Sequence, residues 1–270
     1  MTSGTMPIRL GAVSFLNTRP LVYGLDRQPE RFAVRFDVPS RCAELLAADK
    51  VDLGLIPSIE YAQNSDYRIV PGVSIASDGP VASVALFSRR QPSEIATIAL
   101  DTSSRTSIAL LKILCARWFE IQPQFVPMEP DLPAMVKKCD AALVIGDNAL
   151  FADHDALGLK KIDLGEEWVG MTGLPFVYAF WTGRPGVVNS DAVAALQDAR
   201  DKGLAATSTI AQQSFPNNPG RAAIADRYLR EHIKYALGRP EEAGLRRFYE
   251  LAAEIGVVPA KRELDFYGID

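Results

Sequence analysis

The sequence predicts an α/β protein with two lobes, the second of which is inserted into the first. Three features carry this prediction: two separate series of β-rich runs that alternate with helix-period segments, extended stretches between those series, and an all-helical end. The chain has 270 residues, of which 48% are hydrophobic and 23% charged. That size and composition suit one large globular domain or two small ones.

The first series occupies the N-terminal part of the chain. Its β-rich runs are "IRLGAVS", "FAVRFDVP" and "VDLGLIP", and the segments "RPLVYGLD" and "SRCAELLAADK" separate them. This alternation is typical of βαβ units in a parallel sheet. The stretch "YRIVPGVSIASDGPVASVALFSRR" follows, broken by Gly72, Gly79 and Pro80, and its length suits a crossing between lobes.

The second series alternates the strands "IATIALD", "PQFVPME" and "AALVIGD" with the helices "SSRTSIALLKILCARWF" and "LPAMVKKC". After "DLGEEWVGMTGLPFVYAFWTG" the chain becomes helical. We therefore expect lobe 1 to comprise residues 6–88 and 178–270 and lobe 2 residues 89–177, with crossings near residues 84–92 and 175–182. Ligands of bilobed α/β proteins bind between the lobes, at the carboxyl ends of the strands.

Charge and motif content exclude several classes of function. A formal net charge of -4, with 29 lysines and arginines dispersed along the chain, argues against a nucleic-acid partner. The first twenty residues contain neither a basic n-region nor an apolar stretch of signal or membrane-span length, so we expect a cytoplasmic protein with no membrane partner. Three cysteines, an odd number, do not form a disulfide framework.

The usual catalytic and cofactor motifs are also absent from the sequence. It has no GxGxxG or Walker loop, no HExxH, and no histidine–cysteine cluster, so we expect neither a cofactor nor a metal. The two histidines, His154 and His232, lie outside the polar clusters described next, and no Ser/His/Asp triad is supported. Glu60, Asp101 and Asp147 are the carboxylates best placed to face a cleft, but each can equally orient an arginine or cap a helix.

Polar clusters stand at the predicted strand ends. Taken singly, each reads more readily as a helix cap than as a ligand contact, but their joint placement favours a binding cleft. The candidate residues are Ser14, Asn17 and Arg19 in "SFLNTRP", Ser58 in "PSIEYA", Ser83 in "SDGPVAS", Ser103, Ser104, Arg105, Thr106 and Ser107 in "DTSSRTS", and Asp147 in "IGDNAL".

The cluster "DTSSRTS" has the chemistry of an anion site. Its hydroxyls and backbone amides lie at a predicted helix start, where the helix dipole favours a carboxylate. Arg105 can add a bidentate contact, although an arginine in a first helical turn can instead point to solvent or to a nearby carboxylate. Asn17 offers both a donor and an acceptor, so it can hold a hydroxyl leaving group or a second carboxylate.

Six ordered motifs together resemble the chorismate dehydratase family of the futalosine-dependent menaquinone route. They run from about residue 8 to about residue 181: "GAVSFLNTRPLVYGL", "VDLGLIPSIEY", "IASDGPVASVALFS", "LDTSSRTSIALLKIL", "LVIGDNAL" and "DLGEEWVGMTGLPFVYAFW". The resemblance implies a type II periplasmic-binding-protein-like fold. It also implies loss of water from chorismate to give 3-[(1-carboxyvinyl)oxy]benzoate, with no cofactor or metal.

The resemblance carries roles over to individual positions. Asn17 is the implied catalytic residue, Ser83 a candidate for the enolpyruvyl carboxylate, and residues 104–107 candidates for the ring carboxylate, while Ser58 and Asp147 are expected to line the cleft. We hypothesise that a substrate carboxylate removes the ring proton while Asn17 orients that group or the departing hydroxyl. Two alternatives stay open: a binding protein that closes on a small aromatic carboxylate without reacting, and the sister enzyme that acts on cyclic dehypoxanthine futalosine.

Overall fold

A computed structural model describes residues 6–268 and contains two five-stranded sheets. The first sheet has the order β2-β1-β3-β10-β4, with β1 parallel to β2 and β3, and β10 antiparallel to β3 and β4. Its strands are β1 (Ile8–Val13), β2 (Phe32–Asp37), β3 (Leu53–Pro57), β4 (Arg68–Ser77) and β10 (Phe176–Gly183). The predicted two-lobed α/β architecture is confirmed.

The second sheet is built by the middle of the chain. Its order is β7-β6-β8-β5-β9, with β6 parallel to β7 and β8, and β5 antiparallel to β8 and β9. Its strands are β5 (Val84–Ser88), β6 (Thr97–Asp101), β7 (Gln124–Met128), β8 (Ala141–Ile145) and β9 (Lys160–Asp163). The chain therefore passes from the first sheet to the second through residues 78–83, and it returns through residues 173–175.

This path differs from the lobe boundaries expected from the sequence. Residues 84–88, assigned there to lobe 1 and to the first crossing, form β5 in the middle of the second sheet. Residues 176 and 177, assigned there to lobe 2, begin β10 of the first sheet. The run "VALFS" is buried along its whole length, and such a run has the same pattern in either sheet, so periodicity alone does not reveal its partners.

Helices cover the sheets and form most of the C-terminal part. They are α1 (Pro39–Ala47), α2 (Ser58–Tyr61), α3 (Arg105–Arg117), α4 (Leu132–Lys138), α5 (Gly146–Leu150), α6 (Leu164–Thr172), α7 (Ser190–Ala205), α8 (Thr207–Ser214), α9 (Pro219–Arg227) and α10 (Arg239–Glu254). Three 3₁₀ segments, Leu16–Val22, Leu25–Arg27 and Pro92–Glu94, and a π-helical turn, Tyr228–His232, complete the fold.

Apolar side chains on both faces of the second sheet explain its position against the first. On β5, Val84 and Leu86 belong to the large core that also contains the first sheet, whereas Ala85 and Phe87 pack into a smaller core with Met135 of α4. Alternate residues of a strand point to opposite faces, so one strand serves both cores. Within residues 6–268, no helix is both long enough and apolar enough to cross a membrane.

Candidate active site

A cavity lies between the two sheets, at the carboxyl ends of β1, β3 and β8. It encloses about 480 Å³ of space between protein atoms, part of it open to solvent. The lining residues are Val13, Phe15, Asn17, Pro39, Pro57, Ile75, Val81, Ser83, Val84, Ser104, Ser107, Ile145, Gly146, Tyr178 and Ala179. They come from both sheets, so the cavity is the cleft that the strand-end clusters predict.

Every residue that lines the cavity is uncharged. Apolar side chains dominate, and Asn17, Ser83, Ser104, Ser107 and Tyr178 supply hydroxyl and amide groups. An anion bound there is held by neutral donors and helix dipoles in a setting of low dielectric, where each hydrogen bond is electrostatically stronger than in water. The cavity therefore suits a small, largely apolar molecule with substituents that accept hydrogen bonds.

The start of α3 provides one polar wall of the cavity. Ser104 caps the helix, since its Oγ accepts a hydrogen bond from the Ser107 backbone N–H at 3.4 Å, and the two hydroxyl oxygens are 3.0 Å apart. Both side chains are buried, with 8% and 1% of their surfaces exposed. The helix cap predicted from the hydroxyl-rich stretch is present, and its positive end faces the cleft.

Asn17 and Ser83 form a second polar group, on opposite sides of the cleft. Asn17 lies in the 3₁₀ segment after β1, and Ser83 immediately precedes β5. Both meet the hydroxyl of Tyr228: Asn17 Nδ2 donates to it at 3.0 Å, and Ser83 Oγ lies 2.8 Å from it. Asn17 Oδ1 is buried and has no hydrogen-bond partner among the described residues.

The turn that carries Ser83 is held in a strained conformation. Ala82 has a φ of 63°, in the left-handed region that non-glycine residues rarely adopt. Asp163 stabilises it by accepting hydrogen bonds from the backbone N–H groups of Val81 at 3.0 Å and Ala82 at 2.6 Å. Lys161 donates to the Ala82 carbonyl at 2.5 Å, and burial lowers the pKa of that lysine.

Several ion pairs and hydrogen bonds connect the first lobe to the second beside the cleft. Arg105 forms ion pairs with Glu60 at 3.0 Å and with Glu44 at 3.3 Å, both on helices of the first lobe. The backbone N–H of Leu16 donates to Asp147 Oδ1 at 3.1 Å. Burial raises the pKa of the Asp147 carboxyl, against the opposing effects of that N–H and of Arg19.

The remaining sequence-predicted residues lie around the cavity rather than on its wall. Thr106 Oγ1 accepts from the Ile59 backbone N–H at 3.1 Å, and Ser58 Oγ donates to the Val177 carbonyl at 2.8 Å, so both hydroxyls have partners within the protein. Ser103 Oγ donates to Asp101 Oδ1 at 2.6 Å.

Two further predicted residues point to the surface. Ser14 is exposed, and Arg19 is exposed with its guanidinium 4.8 Å from the centre of the Phe36 ring. Asp147 holds the 3₁₀ segment that contains Asn17 and is absent from the cavity wall. The roles assigned to all these residues stay predictions.

Three residues that shape the site are missing from the sequence-based set. Asp163 has a local signal, because an aspartate before "LGEEW" with Glu166 three residues later is a helix-start pattern. Tyr178 lies within the last of the resembling motifs. Tyr228 has no local signal, since its partner Asn17 is 211 residues away in the chain.

Comparison with known proteins decides the family. A family model described as menaquinone biosynthesis matches residues 8–254, which is most of the chain. The chain belongs to this menaquinone-biosynthesis family. As a member of this family, it is 31% identical over 261 residues to a chorismate dehydratase of Thermus thermophilus, covering 90% of this chain and 94% of the relative. A chorismate dehydratase of Campylobacter jejuni is 29% identical over 178 residues, 63% of this chain and 64% of that protein.

Solved structures similar to this family member confirm the predicted periplasmic-binding-protein-like fold. A protein from Archaeoglobus fulgidus superposes with a TM-score of 0.76 at 17% identity, covering 96% of this chain and all of that one. The periplasmic aliphatic sulphonate binding protein of Escherichia coli superposes with a TM-score of 0.67 at 18% identity, covering 95% of each chain. At such identities the likeness concerns the fold alone.

Proposed function

We propose that the protein is a chorismate dehydratase, a hydro-lyase that converts chorismate to 3-[(1-carboxyvinyl)oxy]benzoate in menaquinone biosynthesis by the futalosine route. The observation that carries this proposal is the 31% identity to the Thermus thermophilus chorismate dehydratase across 90% of the chain. A cytoplasmic location belongs to the same proposal and is in keeping with a biosynthetic role.

The reaction needs one proton removed and one hydroxide expelled. The proton leaves the ring carbon that bears the enolpyruvyl ether, and its bonding electrons form the new ring double bond. The carbon–oxygen bond to the neighbouring hydroxyl breaks at the same time, and the hydroxide takes up a proton to become water. The product ring is aromatic, and its aromatisation supplies much of the driving force of the reaction. The protein therefore needs only to position the substrate and to stabilise the charge that develops in the transition state.

The cavity supports this chemistry through neutral donors. In our proposal, Ser104, Ser107 and the first amides of α3 hold the ring carboxylate, and the Ser83 hydroxyl holds the enolpyruvyl carboxylate, since the backbone N–H groups of Val81 and Ala82 already donate to Asp163. One substrate carboxylate then lies beside the ring proton and removes it. Asn17 orients that carboxylate or the departing hydroxyl. The apolar remainder of the wall excludes water, which strengthens each of these interactions.

Incubation of the purified protein with chorismate tests the proposal. We expect chorismate absorbance to fall while mass spectrometry detects a product lighter by one water. Unchanged chorismate together with a saturable rise in the protein's unfolding temperature would instead identify a binding protein, since a ligand that binds only the folded state stabilises it. Turnover of cyclic dehypoxanthine futalosine, with chorismate untouched, would identify the sister enzyme.

A further inference from the structure

Tyr228 is a buried tyrosine that connects the two halves of the cleft without lining the cavity. It has 2% of its surface exposed and begins the π-helical turn Tyr228–His232, which follows α9. Turns of this kind are rare and occur often at functional sites. Its hydroxyl reaches Asn17 of the first lobe and Ser83 of the segment that leads into the second sheet.

The hydrogen bonds of these three side chains depend on one another. The Tyr228 hydroxyl accepts from Asn17 Nδ2 at 3.0 Å, so its own hydrogen can be donated to Ser83 Oγ at 2.8 Å. Among the described residues, that hydroxyl is the single hydrogen-bond partner of either side chain. The orientation of both groups that face the cavity is therefore set by one oxygen atom.

Tyr228 is suited to a fixed, neutral role. Burial raises its pKa far above the ordinary value for tyrosine, with the negative charge of Asp147 acting in the same direction. The phenol is therefore protonated near neutral pH. As a neutral hydroxyl it accepts from Asn17 and can donate to Ser83, so it can hold both neighbours in place.

We propose that Tyr228 is a positioning residue that orients Asn17 and Ser83 across the cleft. It presents the Asn17 amide so that Oδ1 is free for a ligand, and it holds the Ser83 hydroxyl at a fixed distance from that amide. This inference rests on the proposed function, because its effect is read as turnover of chorismate. Removal of the Tyr228 hydroxyl therefore takes away the hydrogen bonds that hold Asn17 and Ser83.

The variant Tyr228→Phe keeps the ring and removes that hydroxyl. We expect kcat for chorismate to fall at least tenfold, while chorismate still raises the unfolding temperature, because the cavity-lining donors remain present. Tyr235→Phe is the matched control. Tyr235 is equally buried, with 2% exposed, and its hydroxyl has no hydrogen-bond partner among the residues described, so its kcat is expected to stay within twofold of wild type.

A double-mutant cycle distinguishes positioning from simple stabilisation. If Tyr228 acts through Ser83 and Asn17, Tyr228→Phe lowers kcat by a smaller factor in a Ser83→Ala background than in the wild type, because one of the two partners of Tyr228 is already gone. All variants are assayed below the lowest unfolding temperature of the set, so that each is folded.

Two results would overturn the inference. One is a Tyr228→Phe enzyme within twofold of wild-type kcat, and the other is a Tyr228→Phe substitution that lowers kcat by the same factor in the wild type and in Ser83→Ala. A wild type that leaves chorismate unchanged is a different result, since it contradicts the proposed function and with it the premise of this inference.

Discussion

Gly146 provides the sharpest structural perturbation of the cleft. It is the first residue of α5, has a φ of 65°, and faces the Phe15 ring from the other lobe. A Cβ added there would lie 2.8 Å from one ring carbon and 2.9 Å from two others, where ordinary contact begins at 3.4 Å. In Gly146→Ala the ring must therefore retreat by roughly 0.6 Å, the difference between these distances. The left-handed backbone adds about 1–2 kcal/mol of strain.

The displacement affects a residue that lines the cavity and precedes Asn17 by two positions. Because a shift of about 1 Å in an active site can cost on the order of 10²-fold in rate, we expect Gly146→Ala to lower kcat/KM for chorismate by about tenfold. Gly158→Ala is the matched control, since Gly158 has a φ of 64° and a Cβ there would meet nothing within 4 Å. Steady-state kinetics and thermal unfolding of both variants measure the contact separately from the strain. Equal kcat/KM in the two variants would refute the reasoning.

Two other substitutions test the contacts that close the cleft. Arg105→Ala removes two ion pairs from a half-exposed side chain. Because such pairs are worth about 0.2–1 kcal/mol each, and 1.4 kcal/mol is about tenfold, we expect KM to rise less than about thirtyfold with kcat unchanged. A loss of kcat/KM beyond about a hundredfold would show that Arg105 binds substrate directly. Asp147→Asn removes a carboxyl whose pKa burial raises above the usual 3.8 in the folded protein. In the wild type this carboxyl loses its proton at lower pH in the unfolded chain than in the folded protein, so the wild type loses stability as pH rises from about 3.8 through the raised pKa. Urea unfolding is therefore expected to find the variant more stable relative to wild type at pH 7 than at pH 3.5, and an unchanged difference would contradict the assigned burial effect.

Features set by neighbouring residues follow from the sequence. The alternation of β-rich and helical runs predicts the two α/β units, because hydrophobic periodicity reflects which face of each element is buried. The hydroxyls before α3 predict its N-cap, since capping involves residues only three positions apart, and Ser104 makes that hydrogen bond. Asn17, Ser83, Ser104 and Ser107 all line the cavity between the sheets.

Contacts between residues that are far apart in the chain could not be predicted from the sequence. Thr106 and Ser58 have the residue types of ligand contacts, but their hydroxyls bond to Ile59 and Val177 of the first lobe. Arg105 has the charge of an anion ligand and pairs instead with two glutamates across the cleft. Tyr228 meets Asn17 only because the helical tail returns to the first sheet, and no local pattern encodes that approach.

Turnover and binding by Asn17→Ala test the central claim, that the cleft around Asn17 binds chorismate and removes water from it. The wild type is expected to form a product lighter by one water. The variant is expected to lose on the order of 10²-fold or more in rate, as removal of one preorganised polar group in an active site does, while chorismate still raises its unfolding temperature. An Asn17→Ala protein that dehydrates chorismate at a near-wild-type rate would contradict the account.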